Sequence, residues 1–419
     1  MDSDNNLIFN KLKSQLEWAW EKSPFYREKW EKAGISPDTL KTLSDLSKFP
    51  VITKEDLRLS QKLHPPYGDY LCVPKKEVIR IHGTSGTTGT PTIFGISKED
   101  WEKIGEAHAR IMSAAGIRPS DTIFIGSPFS LYMGSWGVLK GAEHLGATVL
   151  PFGAGISGQT AIAVDLINRL KPTCFYGTPS YALRIAEVAQ EKGMNPRDFG
   201  FRVMFFSGEP GAGIPSTKKK IRDIFGSSCI DMGSMAEMTP WMTNAECQEE
   251  NGMHLWQDIV YTEVCDPQTF KPVPYGKEGT PIYTHLERKS QPMIRLLSGD
   301  LTYWDNAPCP CGRNYPRLPK GIYGRIDNIV VIRGHNINPA IIEDVIRSIP
   351  TIKEFRIIIS RERETDEYTV EVEATKEIKD NLSKRLIEAI GLRPKIKIVK
   401  DGTLPRTEFK AKRVIDNRV

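Results

Sequence analysis

The feature that most restricts the fold of this 419-residue chain is a regular alternation of short apolar segments with amphipathic ones between residues 122 and 232. The apolar segments predict β-strands at Thr122–Ile125, Ala147–Phe152, Thr173–Tyr176, Val203–Ser207 and Ser228–Met232. The amphipathic segments predict helices near residues 136–145, 159–170, 179–192 and 215–225. Strands that alternate with helices are typical of parallel sheets covered by helices, so we expect an α/β fold.

Upstream of this region the pattern is mainly helical. Apolar spacing predicts a helix over residues 5–35, and Thr53 followed by Asp56 is a typical helix start. A strand is predicted at Val78–His82 and an amphipathic helix at 98–115.

Downstream of about residue 255 the pattern changes to short strands separated by turns. They are predicted at Ile259–Val264, Gly279–His285, Ile294–Leu297 and Leu301–Trp304, as in a small β-rich subdomain. After Arg325 an α+β unit is predicted, with strands Val330–Arg333, Phe355–Ser360, Tyr368–Ala374 and Lys395–Val399 and helices 339–348 and 376–390. We expect a large N-terminal domain over residues 1–326 and a small C-terminal domain over 327–419.

Composition excludes several classes of protein. A content of 39% hydrophobic and 26% charged residues is that of a folded chain, and a net charge of +5 without a basic stripe does not predict nucleic-acid binding. The acidic N-terminus resembles no signal peptide, and the uncharged stretch 145–164 is too rich in Gly and Ala for a membrane span. With 7 Cys and no secretion signal, we expect a cytoplasmic protein without disulfides.

A glycine-rich loop, Gly83-Thr-Ser-Gly-Thr-Thr-Gly-Thr-Pro, follows the predicted strand Val78–His82. Its glycines allow the backbone to approach phosphates closely, and its N–H and hydroxyl groups can bind phosphate oxygens. The alternative is a polar hairpin turn. The loop lacks the Gly-Lys-Ser/Thr ending of a Walker A motif, so a different kind of nucleotide site is predicted.

Further motifs accompany this loop in order along nearly the whole chain. They are Ser23-Pro-Phe-Tyr-Arg-Glu-Lys, Phe49-Pro-Val-Ile-Thr-Lys-Glu-Asp-Leu-Arg, Gly177-Thr-Pro-Ser-Tyr, Ser207-Gly-Glu-Pro, Pro292-Met-Ile-Arg with Gly299-Asp, Gly324-Arg-Ile-Asp-Asn, Arg333-Gly-His-Asn-Ile-Asn-Pro and Leu404-Pro-Arg-Thr-Glu-Phe-Lys. Together they resemble the adenylate-forming superfamily of acyl-CoA synthetases and adenylation domains, in particular its phenylacetate–CoA ligase branch. The resemblance implies the superfamily's α/β N-terminal domain and a mobile C-terminal domain.

The resemblance also implies the site residues. ATP would be bound at the phosphates by Thr84, Ser85, Gly86, Thr87, Thr88 and Gly89, and around adenine by Ser207, Gly208, Glu209, Pro210, Asp231, Met232, Gly233 and Ala236. Asp300 would bind the ribose, and Arg325 the ribose or a phosphate. Lys410 would be the adenylation lysine, Glu237 the Mg²⁺ ligand, Asp327 the hinge and Gly334 part of the thiol channel. A lysine, a metal ion and aimed N–H groups suit a reaction that builds negative charge on phosphate oxygens.

Four positions depart from the superfamily pattern. Thr90 stands where the phosphate loop usually has lysine, Gly233 replaces the aromatic residue that packs on adenine, Ala236 lacks the usual hydroxyl, and Phe409 replaces the glycine before the catalytic lysine. Each departure removes a minor contact rather than a main role, so the fold prediction is unchanged.

The acyl pocket is predicted to lie around Tyr132, Gly134, Ser135, Trp136, Gly137 and Tyr181. Walls formed by Tyr132 and Trp136 would suit a flat aromatic acid. The alternative, with even weight, is that these aromatic residues belong to the core.

A second candidate site is the set Cys247, His254, Cys309 and Cys311. A Cys-x-Cys-Gly knuckle with a second Cys/His pair makes a Cys3His set suited to structural Zn²⁺. The alternative is free thiols in turns.

These observations predict a ligase that uses ATP and Mg²⁺ to convert a small, in our expectation aromatic, carboxylic acid into an acyl-AMP and then transfers the acyl group to coenzyme A. The alternatives are an AMP ligase that loads a carrier-protein phosphopantetheine or an amine, and a non-catalytic nucleotide-binding regulator. The identity of the acid and the oligomeric state stay open, a homodimer being one expectation.

Overall fold

The computed structural model describes residues 3–84, 91–154, 156, 158–238, 242–326, 329–333, 335–362, 365–407 and 410–418. The α-helices are α1 (Ser3–Lys22), α2 (Pro24–Lys32), α3 (Lys54–Leu63), α4 (Lys98–Ala114), α5 (Gly134–Leu145), α6 (Thr160–Leu170), α7 (Pro179–Glu191), α8 (Pro215–Phe225), α9 (Pro339–Arg347) and α10 (Lys379–Ile390). The β-strands are β1 (Val78–Gly83), β2 (Ile93–Ser97), β3 (Thr122–Ile125), β4 (Thr148–Leu150), β5 (Cys174–Gly177), β6 (Val203–Phe206), β7 (Ser228–Gly233), β8 (Asn244–Glu246), β9 (Met253–Leu255), β10 (Val260–Cys265), β11 (Glu278–His285), β12 (Leu296–Leu297), β13 (Asp300–Tyr303), β14 (Arg317–Leu318), β15 (Gly324–Arg325), β16 (Val330–Ile332), β17 (His335–Ile337), β18 (Phe355–Glu362), β19 (Thr365–Glu373), β20 (Lys395–Val399) and β21 (Val414–Asp416).

The N-terminal helices confirm one prediction and correct another. The single helix predicted over residues 5–35 is wrong, because the chain breaks at Ser23 into α1 and α2. Pro24 has no N–H to continue α1, and the Ser23 hydroxyl instead accepts the N–H of Tyr26 to cap α2. The predicted start of α3 is confirmed, since Thr53 Oγ1 accepts the N–H of Asp56 and the Asp56 carboxylate accepts the N–H of Thr53.

A sheet of eight strands forms the centre of the large domain, in the order β14-β9-β8-β7-β6-β5-β3-β4. Strands β3 to β7 are parallel, as the alternation predicted, and β8, β9 and β14 extend the sheet in antiparallel fashion. Successive residues face opposite sides: Ile123 and Phe205 lie in one apolar cluster, and Phe124 and Met204 in another. Helices therefore cover both faces, which explains why these strands are apolar throughout.

The β-rich region downstream of residue 255 is a second sheet, ordered β10-β11-β13-β15, with β12 also paired to β11. The neighbouring strand β14 pairs with β9 of the central sheet. The loop between β13 and β14 is thereby held against the β8–β9 hairpin.

The small C-terminal domain has its own sheet and its own core. Its strands are ordered β20-β19-β18-β21, and α9 and α10 pack against them around an apolar cluster that contains Ile346, Ile357, Val370 and Leu386. The predicted strand at Val330–Arg333 is one arm of a hairpin, β16–β17, whose second arm was not predicted. Among the described residues, no helix combines the length and the apolar character that a membrane crossing requires.

Candidate active site

Three hydroxyl groups come together at the carboxyl ends of the parallel strands β5 and β6, where Tyr176 and Ser207 meet Tyr132 from the loop before α5. The Ser207 Oγ lies 2.6 Å from Tyr176 Oη and 3.2 Å from Tyr132 Oη, and the two phenol oxygens are 3.4 Å apart. Burial raises the pKa of Tyr176 well above its ordinary value, so its phenol stays neutral. We call Tyr132, Tyr176 and Ser207 the hydroxyl cluster. It lies where open α/β sheets bind their ligands.

Lys410 reaches the hydroxyl cluster from the C-terminal domain. Its Nζ lies 5.3 Å from the centroid of the Tyr132 ring, within range of a cation–π interaction. A Cβ added at Gly208 would lie 2.9 Å from Lys410 Cε and 3.5 Å from both Lys410 Nζ and Tyr132 Oη. Gly208 has φ +94°, a backbone conformation that favours glycine. Lys410, the predicted adenylation lysine, therefore lies beside Tyr132, a predicted residue of the acyl pocket.

Of the remaining predicted acyl-pocket residues, Gly134 belongs with the hydroxyl cluster. A Cβ added there would collide with the phenol oxygens of Tyr132 and Tyr176. Gly137 lies against His108, whose Nε2 would be 2.6 Å from an added Cβ. Ser135 is buried within α5.

The two other aromatic candidates lie in different surroundings. The Trp136 indole N–H donates to the Ser130 carbonyl at 3.0 Å, and its ring lies 4.6 Å from the Arg80 guanidinium. Tyr181 is buried in the core beside Phe124 and Phe175. Both positions agree with the alternative that we left open for these residues, which is a packing role.

The predicted ribose-binding pair is adjacent in the second sheet. Asp300 of β13 and Arg325 of β15 are cross-strand partners, and Arg325 Nη1 donates to Asp300 Oδ1 at 3.4 Å. Arg325 therefore fixes the orientation of the Asp300 carboxylate through one of its two oxygens.

Asp231 and Met232, the predicted adenine-strand residues, lie at the end of β7. Burial, and next the nearby Glu246 carboxylate, raise the pKa of Asp231 well above its ordinary value. Its Oδ2 would lie within 2.7 Å of a Cβ at Gly213 and 3.1 Å of one at Gly321, so these two glycines leave room for the carboxylate. Met232 is buried in the core.

Gly233 has a structural reason to lack the aromatic side chain that the superfamily usually has at this position. A Cβ at Gly233 would overlap the amide of its cross-strand partner Asn244, whose Cγ would be only 2.8 Å away. The Asn244 side chain is fully buried and donates to Met253 Sδ at 2.8 Å. Asn244 therefore occupies the space beside Gly233.

Glu237, the predicted Mg²⁺ ligand, follows β7 in a 3-10 turn that begins at Ala236. Its carboxylate is 4% exposed and lies 3.6 Å from the ammonium of Lys54 on α3. A cation is thus already accommodated beside this carboxylate, and a carboxylate oxygen is a hard donor of the kind that Mg²⁺ takes together with substrate phosphates.

The phosphate loop is described only at its neck. Thr84 and Thr92 close it by two hydrogen bonds, from Thr84 N to Thr92 O at 3.0 Å and from Thr92 N to Thr84 Oγ1 at 3.1 Å. Ser85, Gly86, Thr87, Thr88 and Gly89, together with Thr90, Asp327, Gly334 and Phe409, lie outside the described residues.

Glu209 and Pro210 lead from β6 toward α8. Pro210 begins a 3-10 turn that ends at Gly213. The Glu209 carboxylate accepts the N–H of Ser180 in the first turn of α7 and the N–H of Ala411 beside Lys410.

The predicted metal site is assembled by the sheet. Cys247 follows β8, His254 lies on β9, and Cys309 and Cys311 lie in the loop between β13 and β14. Their four donor atoms lie within 4.8 Å of one another. Cys247 Sγ is 3.8 Å from Cys309 Sγ, and Cys311 Sγ is 3.4 Å from His254 Nε2. Zn–S bonds of about 2.3 Å in a tetrahedron place two sulfurs about 3.8 Å apart, so the donor set fits this ion.

Sequence reasoning missed three residues of the site. Tyr176 had a usable signal, because a polar aromatic residue ends an apolar strand directly before Gly177. Asn244 and Lys54 had none, since their proximity to Gly233 and Glu237 depends on cross-strand register and helix packing.

Known proteins are similar to this chain in sequence and in fold. Residues 31–284 match the family model of the AMP-binding enzyme, and residues 334–418 match that of the AMP-binding enzyme C-terminal domain. A phenylacetate-coenzyme A ligase of Thermus thermophilus is 32% identical over 97% of this chain and 95% of its own length. A phenylacetate-coenzyme A ligase of Escherichia coli is 33% identical over 100% and 96%, respectively.

Among solved structures, a 2-hydroxyisobutyryl-CoA ligase in the postadenylation state, in complex with 2-HIB-AMP, is 50% identical over 99% of this chain and 90% of its own, with a TM-score of 0.95. The same ligase in the thioesterification state, with 2-HIB-AMP and CoA, gives a TM-score of 0.77 at 51% identity. Since identity is nearly equal, the difference reflects domain arrangement, and the arrangement described here resembles the postadenylation one. This chain belongs to the AMP-binding enzyme family, in the group that contains the phenylacetate-coenzyme A ligases.

Proposed function

We propose that the protein activates a small carboxylic acid at the hydroxyl cluster, with Lys410 as the catalytic lysine. As a member of this family it is an AMP-forming acid–thiol ligase that makes an acyl-AMP from ATP and transfers the acyl group to coenzyme A. The site assignment rests on the proximity of Lys410 Nζ and Tyr132 Oη, each of which would lie 3.5 Å from a Cβ added at Gly208.

The two half-reactions follow from the chemistry of the groups. In the first, a carboxylate oxygen of the acid attacks the α-phosphorus of ATP and the bond to the bridging oxygen breaks, which releases pyrophosphate. Lys410 would offset the charge that develops on the phosphate oxygens. In the second, the sulfur of coenzyme A attacks the acyl carbon and AMP leaves with its electron pair.

The remaining nucleotide contacts are proposals on the same basis. Thr84–Gly89 would hold the phosphates, Ser207–Pro210 and Asp231 would surround adenine, and the Asp300–Arg325 pair would bind the ribose hydroxyls. Glu237 would hold Mg²⁺, which when bound supplies positive charge to the phosphates.

We propose two substrate classes and rank them by the pocket. A flat aromatic acid was expected from Tyr132 and Trp136. Trp136 packs against Arg80, which supports a packing role for this residue, whereas the three hydroxyls of the cluster favour an acid that is small and polar. The 50% identity with a 2-hydroxyisobutyryl-CoA ligase supports the same class. A short 2-hydroxy acid is therefore our first candidate, and an arylacetic acid our second.

The experiment is acid-dependent ATP–pyrophosphate exchange across a panel of short 2-hydroxy acids, their deoxy analogues and aromatic acids. Exchange with the 2-hydroxy acids above that with the deoxy analogues is expected. Preference for arylacetic acids would contradict the ranking, and absence of exchange with every acid would favour the regulator. Thioester formation measured with coenzyme A and with a phosphopantetheinylated carrier protein separates the ligase from the carrier-loading alternative.

The metal and the domain division complete the proposal. We propose structural Zn²⁺ at Cys247, His254, Cys309 and Cys311, where it would tie the loop after β13 to the β8–β9 hairpin. The division into domains over residues 1–326 and 327–419, the hinge at Asp327, the thiol channel at Gly334, the homodimer and the cytoplasmic location stay predictions.

A further inference from the structure

The chain segment that carries Lys410 is attached to the first and third turns of α7. We define residues 404–413, as far as they are described, as the docking segment. Arg406 Nε donates to Glu187 Oε1 of α7 at 2.9 Å, and Arg413 Nη1 donates to Ser180 Oγ, also of α7, at 3.2 Å. Ser180 and Glu187 are seven residues apart, so they lie on one face of the helix two turns apart.

Glu209 joins the two domains between these attachments. Its Oε1 accepts the N–H of Ser180 at 2.7 Å, and its Oε2 accepts the N–H of Ala411 at 3.2 Å. Ser180 is in the first turn of α7, where N–H groups lack partners within the helix and the helix dipole favours a carboxylate. The carboxylate is therefore fixed by the large domain and holds the residue next to Lys410.

We propose that Glu209 is a positioning residue that sets Lys410 over the acyl site for adenylation by accepting the Ser180 and Ala411 N–H groups together. This rests on the proposed function. It assigns the Glu209 side chain to domain docking, whereas the superfamily resemblance implied only a place beside adenine.

The docking contact belongs to one stage of the reaction. The TM-score is 0.95 with the postadenylation structure of the 2-hydroxyisobutyryl-CoA ligase and 0.77 with its thioesterification structure. Ala411 must leave Glu209 whenever the C-terminal domain turns away, whereas the Ser180 contact lies within the large domain and can persist. Loss of Glu209 should therefore impair the first half-reaction selectively.

The test compares half-reactions in the full-length protein. Glu209→Gln keeps one oxygen acceptor and sets its NH2 against the other N–H donor, so the Ser180 and Ala411 bonds cannot both persist. It is expected to lower the kcat of pyrophosphate exchange about 10-fold or more, with the KM for ATP changed less than about two-fold. Thioester formation from supplied acyl-AMP and coenzyme A should stay within about two-fold of the wild-type rate. Arg406→Gln, which weakens the attachment of the docking segment to Glu187, should act in the same direction.

A matched control is Glu191→Gln, at the end of α7, where the carboxylate pairs with Arg184 of the same helix. It should change neither half-reaction. Equal loss of both half-reactions in Glu209→Gln, or a rise in the KM for ATP at unchanged kcat, would overturn the positioning role.

Hydrogen–deuterium exchange makes the test independent of catalysis. In Glu209→Ala, which offers no acceptor to either N–H group, the amide of Ala411 should lose protection relative to wild type, while amides of the β6 core should keep theirs. Unchanged protection at Ala411 would overturn the proposal. If wild type shows no acid-dependent pyrophosphate exchange, the proposed function fails, and the protection at Ala411 still decides the role of Glu209.

Discussion

The Lys410 ammonium lies 5.3 Å from the centre of the Tyr132 ring, so a residue of the C-terminal domain completes a site built by strands of the large domain. Lys410→Ala is expected to lower acid-dependent pyrophosphate exchange by about 100-fold or more, because it removes a donor aimed at developing charge. Thioester formation from supplied acyl-AMP should persist. The exposed neighbour Lys412, changed to Ala, is the control, and equal loss of both half-reactions in Lys410→Ala would contradict the assignment.

Tyr176→Phe should change the choice of acid. The Tyr176 hydroxyl is 2.6 Å from Ser207 Oγ, within the hydroxyl cluster. Its removal is expected to lower kcat/KM for a short 2-hydroxy acid by about 10-fold and for the matching deoxy acid by less than about three-fold, since only the former has a hydroxyl to pair. Equal losses for both acids would place the phenol away from the substrate hydroxyl.

Restoring the aromatic residue at position 233 should fail unless Asn244 is reduced as well. Gly233→Tyr forces a Cβ into the Asn244 amide and is expected to destabilise the fold by about 1–3 kcal/mol and to raise the KM for ATP. Gly233→Tyr combined with Asn244→Gly should recover much of both losses. Thermal unfolding and exchange kinetics measure them, and a fully stable single variant would show that the strand pair adapts.

Metal analysis of the purified protein should find about one zinc per chain, as a closed set of four ligands implies. Cys247→Ser should reduce this content and lower Tm by about 5 °C or more, because a structural ion contributes directly to folding. The KM for ATP should rise as well, since Glu246, next to Cys247, accepts the Asp231 N–H at 2.8 Å. Cys72→Ser, a buried cysteine outside the site, should keep its zinc; zinc-free, fully stable wild type would refute the site.

Docking of the C-terminal domain should strengthen with rising pH through Lys220 of α8. Burial, and then repulsion by Arg347 and Arg413, lower the pKa of Lys220 to about 8, while Glu354 and Glu187 act in the opposite direction. On undocking, water returns and the pKa rises towards about 10.4. The docked form thus binds fewer protons, so raising the pH from about 8 to about 10 favours it, and below pH 8 this group has no further effect.

Small-angle scattering at pH 7.5 and 9.5 can follow this equilibrium, with a change on the order of ten-fold expected. Lys220→Met should remove the pH dependence. Lys219→Met, an exposed neighbour that pairs with Asp223, should retain it. A pH dependence that survives in Lys220→Met would assign it to other groups at the interface.

Local sequence patterns predicted the parts of the fold that depend on local physics. The periodicity and length of the apolar segments were sufficient to predict the parallel strands β3 to β7. Thr53 followed by Asp56 was sufficient to predict the start of α3. The break at Ser23 could have been anticipated from Pro24. The β17 arm of the C-terminal hairpin was missed because three residues carry too little periodicity to identify a strand.

In the candidate site, too, local features could be predicted from the sequence, whereas features that depend on long-range packing could not. Cys309 and Cys311 form a local knuckle, and their approach to Cys247 and His254 was correctly anticipated from residue type. The surroundings of Trp136 and the Lys54–Glu237 ion pair depend on how distant helices and strands pack, which spacing along one chain does not specify. Glu209 was placed beside adenine by its motif, but the direction of its carboxylate could be seen only in three dimensions.

Helix α7 begins directly after the strand that supplies Tyr176, and its outer face receives Arg406 and Arg413. On the proposed assignments, the residues that choose the acid and those that time the catalytic cycle are therefore held by the same strand–helix unit. To transfer the pocket of a relative to this protein, β5, α7 and the docking segment should be exchanged together. If only the pocket residues were exchanged, Lys410 would still be positioned for the original acid rather than for the new one.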